Sequence, residues 1–352
     1  NLSISSGMIK KKKLSVIIPV YNAEKYIFES LNSIINQTFR NFELIIINDN
    51  SSDNSLSIIK KFKRKYIKND IKILNNKKRF GIAKSLNKGI NFCKGELIAR
   101  MDADDISHIQ RLEKQISFLN KNPKVGLLGT NSMHINEEGM NIGCTNLPLK
   151  DEDIRANFFF LNPFNHQSII FRKSLLSKKN YNETFSTTQD YEFYSRIIRK
   201  TSVANLKEYL IKQRIHNKSI SFKKKNIQLE NTLKVQSKYY NLNINRKFKY
   251  KKYHLLNKYF LGDKDNFISG GLDISSTCID IFEIYREIQN IEKNNYLEKF
   301  FLSKFMIFLF YSFGEKQWCN FFKLILVNSK IKSLINIIFI LLYNKVKKCV
   351  GY

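Results

Sequence analysis

Residues 97–105 read LIARMDADD, an apolar run that ends abruptly in three carboxylates within four positions. Carboxylates packed this closely repel one another unless a cation sits among them. Oxygen ligands of this kind suit Mg²⁺ or Mn²⁺, which in turn bridge to phosphate oxygens. The plainer alternative is a solvated acidic turn, or Asp104 and Asp105 capping the next helix. Where the run sits in the fold decides between them.

From Leu14 to Asp105 short β-branched apolar runs alternate with longer segments of helical period, the pattern of parallel βαβ units. The predicted strands are Leu14 to Val20, Phe42 to Asn48, Ile71 to Leu74 and Glu96 to Met101. Between the first two, a helix opened by Asn22 as N-cap would bury Ile27, Leu31, Ile34 and Ile35 on one face. Further helices fit Asn54 to Tyr66 and Ile82 to Phe92. Asn48 to Asp53 and Asp102 to Asp105 then both fall at strand C-termini, the edge where open α/β sheets bind ligands.

After Asp105 the alternation weakens. A helix is expected from Ile109 to Leu119, an apolar stretch from Val125 to Leu128, strand-like runs at Ser168 to Phe171 and Tyr209 to Ile215, and a helix from Asp190 to Arg199. Beyond Phe222 the sequence is rich in Lys, Asn and aromatic residues and reads as mainly helical. From Tyr296 to Tyr343 apolar residues occupy nearly every helical face with lysines between them, which suits either a small packed core or a membrane surface.

The 352 residues carry 60 Lys and Arg against 30 Asp and Glu, a formal net charge of +30. Such a balance calls for an anionic partner or surface, or reflects a surface where Lys is simply tolerated. Five scattered cysteines give neither a disulfide framework nor a zinc knuckle. The Lys10 to Lys13 cluster is followed by only a short apolar run before Pro19, so no signal-peptide core is read, and a cytoplasmic location is expected. No segment reaches the ~18 uninterrupted apolar residues of a membrane-spanning helix.

The second acidic cluster, Asn48, Asp49, Asn50, Ser51, Ser52 and Asp53, can accept from a nucleobase N–H or a ribose hydroxyl, or cap the helix that follows. Together with Pro19 to Asn22 and Met101 to Asp105, this cluster resembles the motifs of the inverting family 2 glycosyltransferases. The likeness continues through Arg111 to Gln115, Asn122 to Gly126, His166 to Arg172, Gln189 to Arg196, Arg214 to His216 and Ser219 to Ser221, and spans roughly residues 14 to 221.

The resemblance implies an α/β fold: a GT-A (nucleotide-diphospho-sugar transferase, Rossmann-like) domain with a mainly α-helical C-terminal extension. The implied organisation is a basic lead over 1–13, the GT-A domain over 14–221 and a basic, aromatic, membrane-associating or simply packed helical region over 222–352. It further implies that Pro19 and Tyr21 line a nucleotide pocket, Asp49 contacts the base, Asp102 the ribose or the metal's water shell, and Asp104 the metal, Mn²⁺ or Mg²⁺. Asp190 is the implied general base, because an acceptor hydroxyl has a pKa far above neutral and needs a positioned carboxylate. His216 is a further metal or phosphate contact, or a structural histidine; Arg214 would pair with phosphate or with an Asp.

The implied partners are a nucleotide-diphosphate sugar donor, UDP-linked by preference, a glycan or lipid-linked acceptor, and an anionic membrane surface on the inner face of the membrane. Three positions depart from the family pattern: Asn48 for a frequent Asp, Asn50 for a frequent Gly, and Gln189 for the Glu before the base. The rival readings are a basic nucleic-acid-binding protein, for which no recognition module is found, and a non-catalytic nucleotide-sugar-binding GT-A protein.

Overall fold

The computed structural model describes residues 13–177, 180–216 and 225–244. The expectations for the basic lead before Lys13, and for nearly all of 222–352, lie outside the described residues. The chain divides into two units, Asn1–Gln236 and Ser237–Tyr352, and the first holds the sheet and the site.

β1 (Leu14–Val20) and β2 (Phe42–Asn48) are continuous apolar runs, and every residue of both except Pro19 is buried. Runs of that kind belong to parallel strands covered on both faces. β1 lies between β2 and β4 (Leu97–Arg100), parallel to each, with Ile18 opposite Ile46 and Val16 opposite Ala99; β3 (Ile71–Asn75) extends the sheet beyond β2. The crossover helices are α1 (Ile27–Ile35), α2 (Ser55–Lys65) and α3 (Ile82–Asn91). α1 and α2 bury Ile27, Leu31, Ile34, Ile59 and Phe62 against Ile18, Leu44 and Ile46. A fully buried Leu such as Leu31 is worth about 2–5 kcal/mol relative to Ala. Gly95, between α3 and β4, is required by close approach: a Cβ there would come within 2.5 Å of the Ser15 backbone nitrogen.

α1 does not start at Asn22. Asn22 takes a left-handed φ of 48° and spends its side chain on Ser52, its Oδ1 accepting the Ser52 N–H at 2.9 Å and its Nδ2 donating to Ser52 Oγ at 3.1 Å. It ties two loops at the strand edge together instead of capping a helix.

Beyond β4 the sheet becomes mixed. β8 (Ile170–Arg172) runs antiparallel to β4 and to β6 (Val125–Ile135), and β9 (Ser202–Arg214) lies parallel to β6 on its other side. The path is β3-β2-β1-β4-β8-β6-β9-β5, where β5 (Ile106–Ser107) pairs with β9 and β7 (Asn141–Cys144) pairs with β6. β6 and β9 are much longer than the apolar stretches that announced them. The β6 middle is polar yet buried, at Thr130, Asn131 and Ser132, and its register against β9 shifts at those residues. β9 passes through exposed Lys207 and Glu208, which breaks its alternation.

α4 (Arg111–Lys121) and α6 (Gln189–Ile197) lie close to the expected segments, whereas α5 (Asp151–Phe158), β5 and β7 had no clear sequence signal. α7 (Lys225–Ile244) extends the first unit past Ser221: Leu233 and Val235 are buried, and Gln236 Nε2 donates to the Phe160 carbonyl at 2.6 Å. Among the described residues no helix is long and apolar enough to cross a membrane.

Candidate active site

Residues 97–105 leave the sheet at the C-terminal end of β4, beside the ends of β1 and β2. Its last strand residue, Arg100, is 1% exposed and forks onto Asp102, with Nη1 2.6 Å from Oδ2 and Nη2 2.5 Å from Oδ1. The Asp102 side chain remains 33% exposed. Ser30 of α1 donates to the Asp102 carbonyl at 3.0 Å and so fixes the turn to the neighbouring helix. Burial lifts the Asp102 carboxyl, and the Arg100 guanidinium pulls it back.

Asp104 points a different way. Its Oδ2 lies 3.0 Å from His216 Nε2, just past the end of β9. The His216 ring in turn stacks on Tyr26, with centroids 6.0 Å apart. Asp105 is buried and accepts the Arg214 backbone N–H at 2.9 Å, while its Oδ2 has no hydrogen-bond partner among the described residues. Burial, with the charges of Asp104 and Asp102 added, pushes the Asp105 carboxyl well above the ordinary range. The acidic turn is therefore neither a solvated loop nor a helix cap, since α4 begins only at Arg111. Asp105 is a buried tie between β4 and β9.

Arg214 is engaged on every side by protein. It donates to the carbonyls of Asp104 at 3.2 Å, Asn136 at 3.1 Å and Glu137 at 2.9 Å, and pairs with Glu29 at 2.9 Å. Its expected pairing with phosphate or an Asp side chain is replaced by this four-way clamp, which holds the acidic turn, α1 and the β6–β7 turn together.

Asp190 stands in the first turn of α6, after Thr188 in a left-handed conformation (φ 63°). Asn162 Nδ2 donates to its Oδ2 at 2.8 Å. Burial raises its carboxyl, against the Tyr191 N–H, the Arg100 charge and the Asn162 bond, which all favour the ionised form. Asp190 lies close enough for its charge to act on Asp102. Asp102 and Asp104 lie on the turn that leaves β4, and Asp190 lies at the start of α6.

The second acidic loop is tied as well. Asp49 is 4% exposed and accepts from Asn76 Nδ2 at 2.7 Å, the Phe80 N–H at 2.9 Å and the Gly81 N–H at 2.8 Å. It thereby folds the 76–81 loop over the end of β2. Tyr21 follows β1 and is half exposed, with the Arg79 guanidinium 3.9 Å over its ring; Pro19 is half-buried beneath, level with Ile47.

The three unusual positions have local accounts. Asn48 donates to Asn75 Oδ1 at 2.7 Å and accepts from Ser51, so an amide suits it where a second carboxylate would not. Asn50 adopts φ 56°, which Asn tolerates nearly as Gly does. Gln189 is buried with its Oε1 unpartnered among the described residues. Arg100, Asn162 and Asn76 were not singled out from the sequence. For Arg100 the available signal was a lone cation inside an apolar strand, directly before the carboxylates.

Asp104 and His216 are a carboxylate and an imidazole, groups of the chemical types that bind divalent cations. Asp104 Oδ2 and His216 Nε2 meet at 3.0 Å, the length of an ordinary hydrogen bond. Among the described residues no group of three or more His, Cys, Asp or Glu is arranged to hold a metal. Mg²⁺-type sites characteristically take one or two carboxylates and complete their shell with substrate phosphates and water.

A family model described as Glycosyl transferase family 2 matches residues 15–205, and the chain belongs to that family. It is a glycosyltransferase. An uncharacterized glycosyltransferase of Haemophilus influenzae is 36% identical over 218 residues, 59% of this chain and 67% of the relative. The O-antigen biosynthesis glycosyltransferase WbnJ of Escherichia coli is 36% identical over 211 residues, 58% of this chain and 81% of the relative. Among solved structures, S. aureus TarS 1-349 in complex with UDP-GlcNAc superposes with a TM-score of 0.56 at 21% identity, over 79% of this chain and 81% of that one. The fold is GT-A, as the motifs implied.

Proposed function

We propose that the chain is an inverting, metal-dependent transferase moving a sugar from a nucleotide-diphosphate donor, UDP-linked by preference, to a hydroxyl of a glycan or glycolipid in cell-surface polysaccharide synthesis. The observation that carries this reading is the acidic turn at the C-terminal sheet edge, with Asp102 held by Arg100 and Asp104 facing His216 at 3.0 Å.

In this reading the nucleobase sits against Tyr21 and Pro19 near Asp49, and Asp102 accepts from a donor hydroxyl. Asp104 and His216 would hold Mn²⁺ or Mg²⁺, which when bound stabilises the negative charge of the leaving diphosphate as a Lewis acid. Asp190 takes the proton of the acceptor hydroxyl as its oxygen attacks the anomeric carbon. A single in-line displacement inverts that carbon. Support for the donor class comes from TarS, solved with UDP-GlcNAc, and from the mannosyltransferase PcManGT of Pyrobaculum calidifontis, solved with GDP-Man and Mn²⁺. Support for the pathway comes from relatives named for O-antigen and amylovoran biosynthesis.

The same reading assigns the catalytic motifs to residues 14–221, packs Leu233, Val235 and Gln236 of α7 onto the same unit, and assigns the basic, aromatic residues beyond it to contact with the inner face of a membrane. The test is to incubate the protein with a panel of nucleotide sugars and Mn²⁺ and follow nucleotide release. Failure to bind or turn over any donor, with and without chelator, would overturn the assignment.

A further inference from the structure

Arg100 is a strongly buried cation at this edge, 1% exposed, and its guanidinium faces a carboxylate of the acidic turn itself. Both terminal nitrogens fork onto Asp102, and Nε has no partner among the described residues. Its backbone is equally fixed: the N–H donates to the Ile169 carbonyl at 3.0 Å, and its carbonyl accepts from Arg111 Nη2 at 2.8 Å. Arg111 is itself fully buried and bonded to Gln115. The guanidinium is thus mounted on a rigid base, and the carboxylate on it is immobilised while still 33% exposed.

A fork of this kind fixes the plane of a carboxylate as well as its position, which a point charge cannot do. Each Asp102 oxygen keeps lone-pair capacity beyond the guanidinium bond. Asp104, two residues on, has no such restraint and turns to His216.

We propose that Arg100 is a positioning residue for the donor: by holding Asp102 in a bidentate fork, it aims that carboxylate at a donor hydroxyl and keeps it out of the cation's ligand set. The proposal rests on the transferase reading above. It divides the acidic turn into a guanidinium-bound carboxylate for the donor and a histidine-facing carboxylate for the cation.

The test uses the full chain and compares Arg100→Lys, Arg100→Met and Asp102→Asn with the double variant Arg100→Met/Asp102→Asn, measuring donor KM, kcat and the Mn²⁺ concentration for half-maximal rate. Arg100→Lys keeps the charge and loses the fork, so donor KM should rise about tenfold, with kcat at saturating donor within about threefold of wild type. Asp102→Asn should raise donor KM similarly, and the double variant should be no worse than Asp102→Asn alone, because both changes remove one interaction. Arg100 variants with unchanged donor KM, or losses that multiply in the double variant, would overturn the role. If Arg100→Met fails to fold, the Arg100→Lys and Asp102→Asn pair decides, since an unequal effect on KM is then the contrary result. A wild-type chain that turns over no donor would sink the transferase reading and this role with it; an active wild type with indifferent Arg100 variants would sink this role alone.

Discussion

His216 Nε2 and Asp104 Oδ2 meet at 3.0 Å although 112 positions separate them in the chain. If they share a cation, His216→Ala should raise the Mn²⁺ concentration for half-maximal rate by about tenfold or more, while nucleotide-sugar turnover at saturating Mn²⁺ is largely retained. Asp104→Ala should weaken donor binding more severely. A Mn²⁺ titration of initial rates on both variants checks this, and an unchanged midpoint in His216→Ala would return that histidine to a structural role.

Asp190→Asn should abolish transfer and leave donor binding intact. A finer expectation comes from Asn162, which donates to Asp190 at 2.8 Å and so favours its ionised form. The base works only when ionised, so activity falls as pH drops through its pKa, which burial has raised. Asn162→Ala removes a stabilising bond and should move the acid limb of log kcat/KM to still higher pH. A limb that stays put or moves down would contradict the assignment.

The first half of the fold was open to sequence reading because its strands are buried on both faces and its helices carry one apolar face each, as at Ile27, Leu31 and Ile34. The second half was not. β6 buries Thr130, Asn131 and Ser132, whose polarity is satisfied by Ser168, Lys207 and Thr145 from distant segments. No local pattern carries that information. The same limit applies to the site: the motifs pointed to Asp102, Asp104 and Asp190, whereas the Arg100 fork and the Arg214 clamp depend on which neighbours the tertiary fold supplies.

Asp105 allows a stability test with a definite sign. Its folded carboxyl sits well above the usual carboxylate range, so the neutral form is favoured on folding. The associated stability is complete below the unfolded pKa of about 4 and is lost as pH rises through the folded value. Asp105→Asn, isosteric and unable to ionise, should therefore show a Tm advantage over wild type that is absent near pH 4 and grows toward neutral pH. Melting curves across that range decide it; an advantage that shrinks with rising pH would refute the account.

Asp49 holds three donors of the 76–81 loop, two of them backbone N–H groups. Asp49→Ala should destabilise the protein by about 2 kcal/mol and also weaken donor binding, because the loop beside Tyr21 loses its anchor. Thermal melts and donor titrations together test this; a loss of donor affinity with no change in Tm would mean that Asp49 acts on the ligand alone.

The Arg214 clamp also bears on the order in which the molecule comes into being. It joins Glu29 to a residue 185 positions later, and it carries His216 on the same chain segment. Contacts of such long sequence separation form late and slowly. At synthesis rates of roughly 5–20 residues per second, a nascent chain would carry the Asp104 turn for on the order of ten seconds before β9 emerged to meet it. Until then Asp104 has no His216 to meet, and the acidic turn lacks its Arg214 contact. The acidic turn is thus translated early, and its long-range contacts to β9 are completed late.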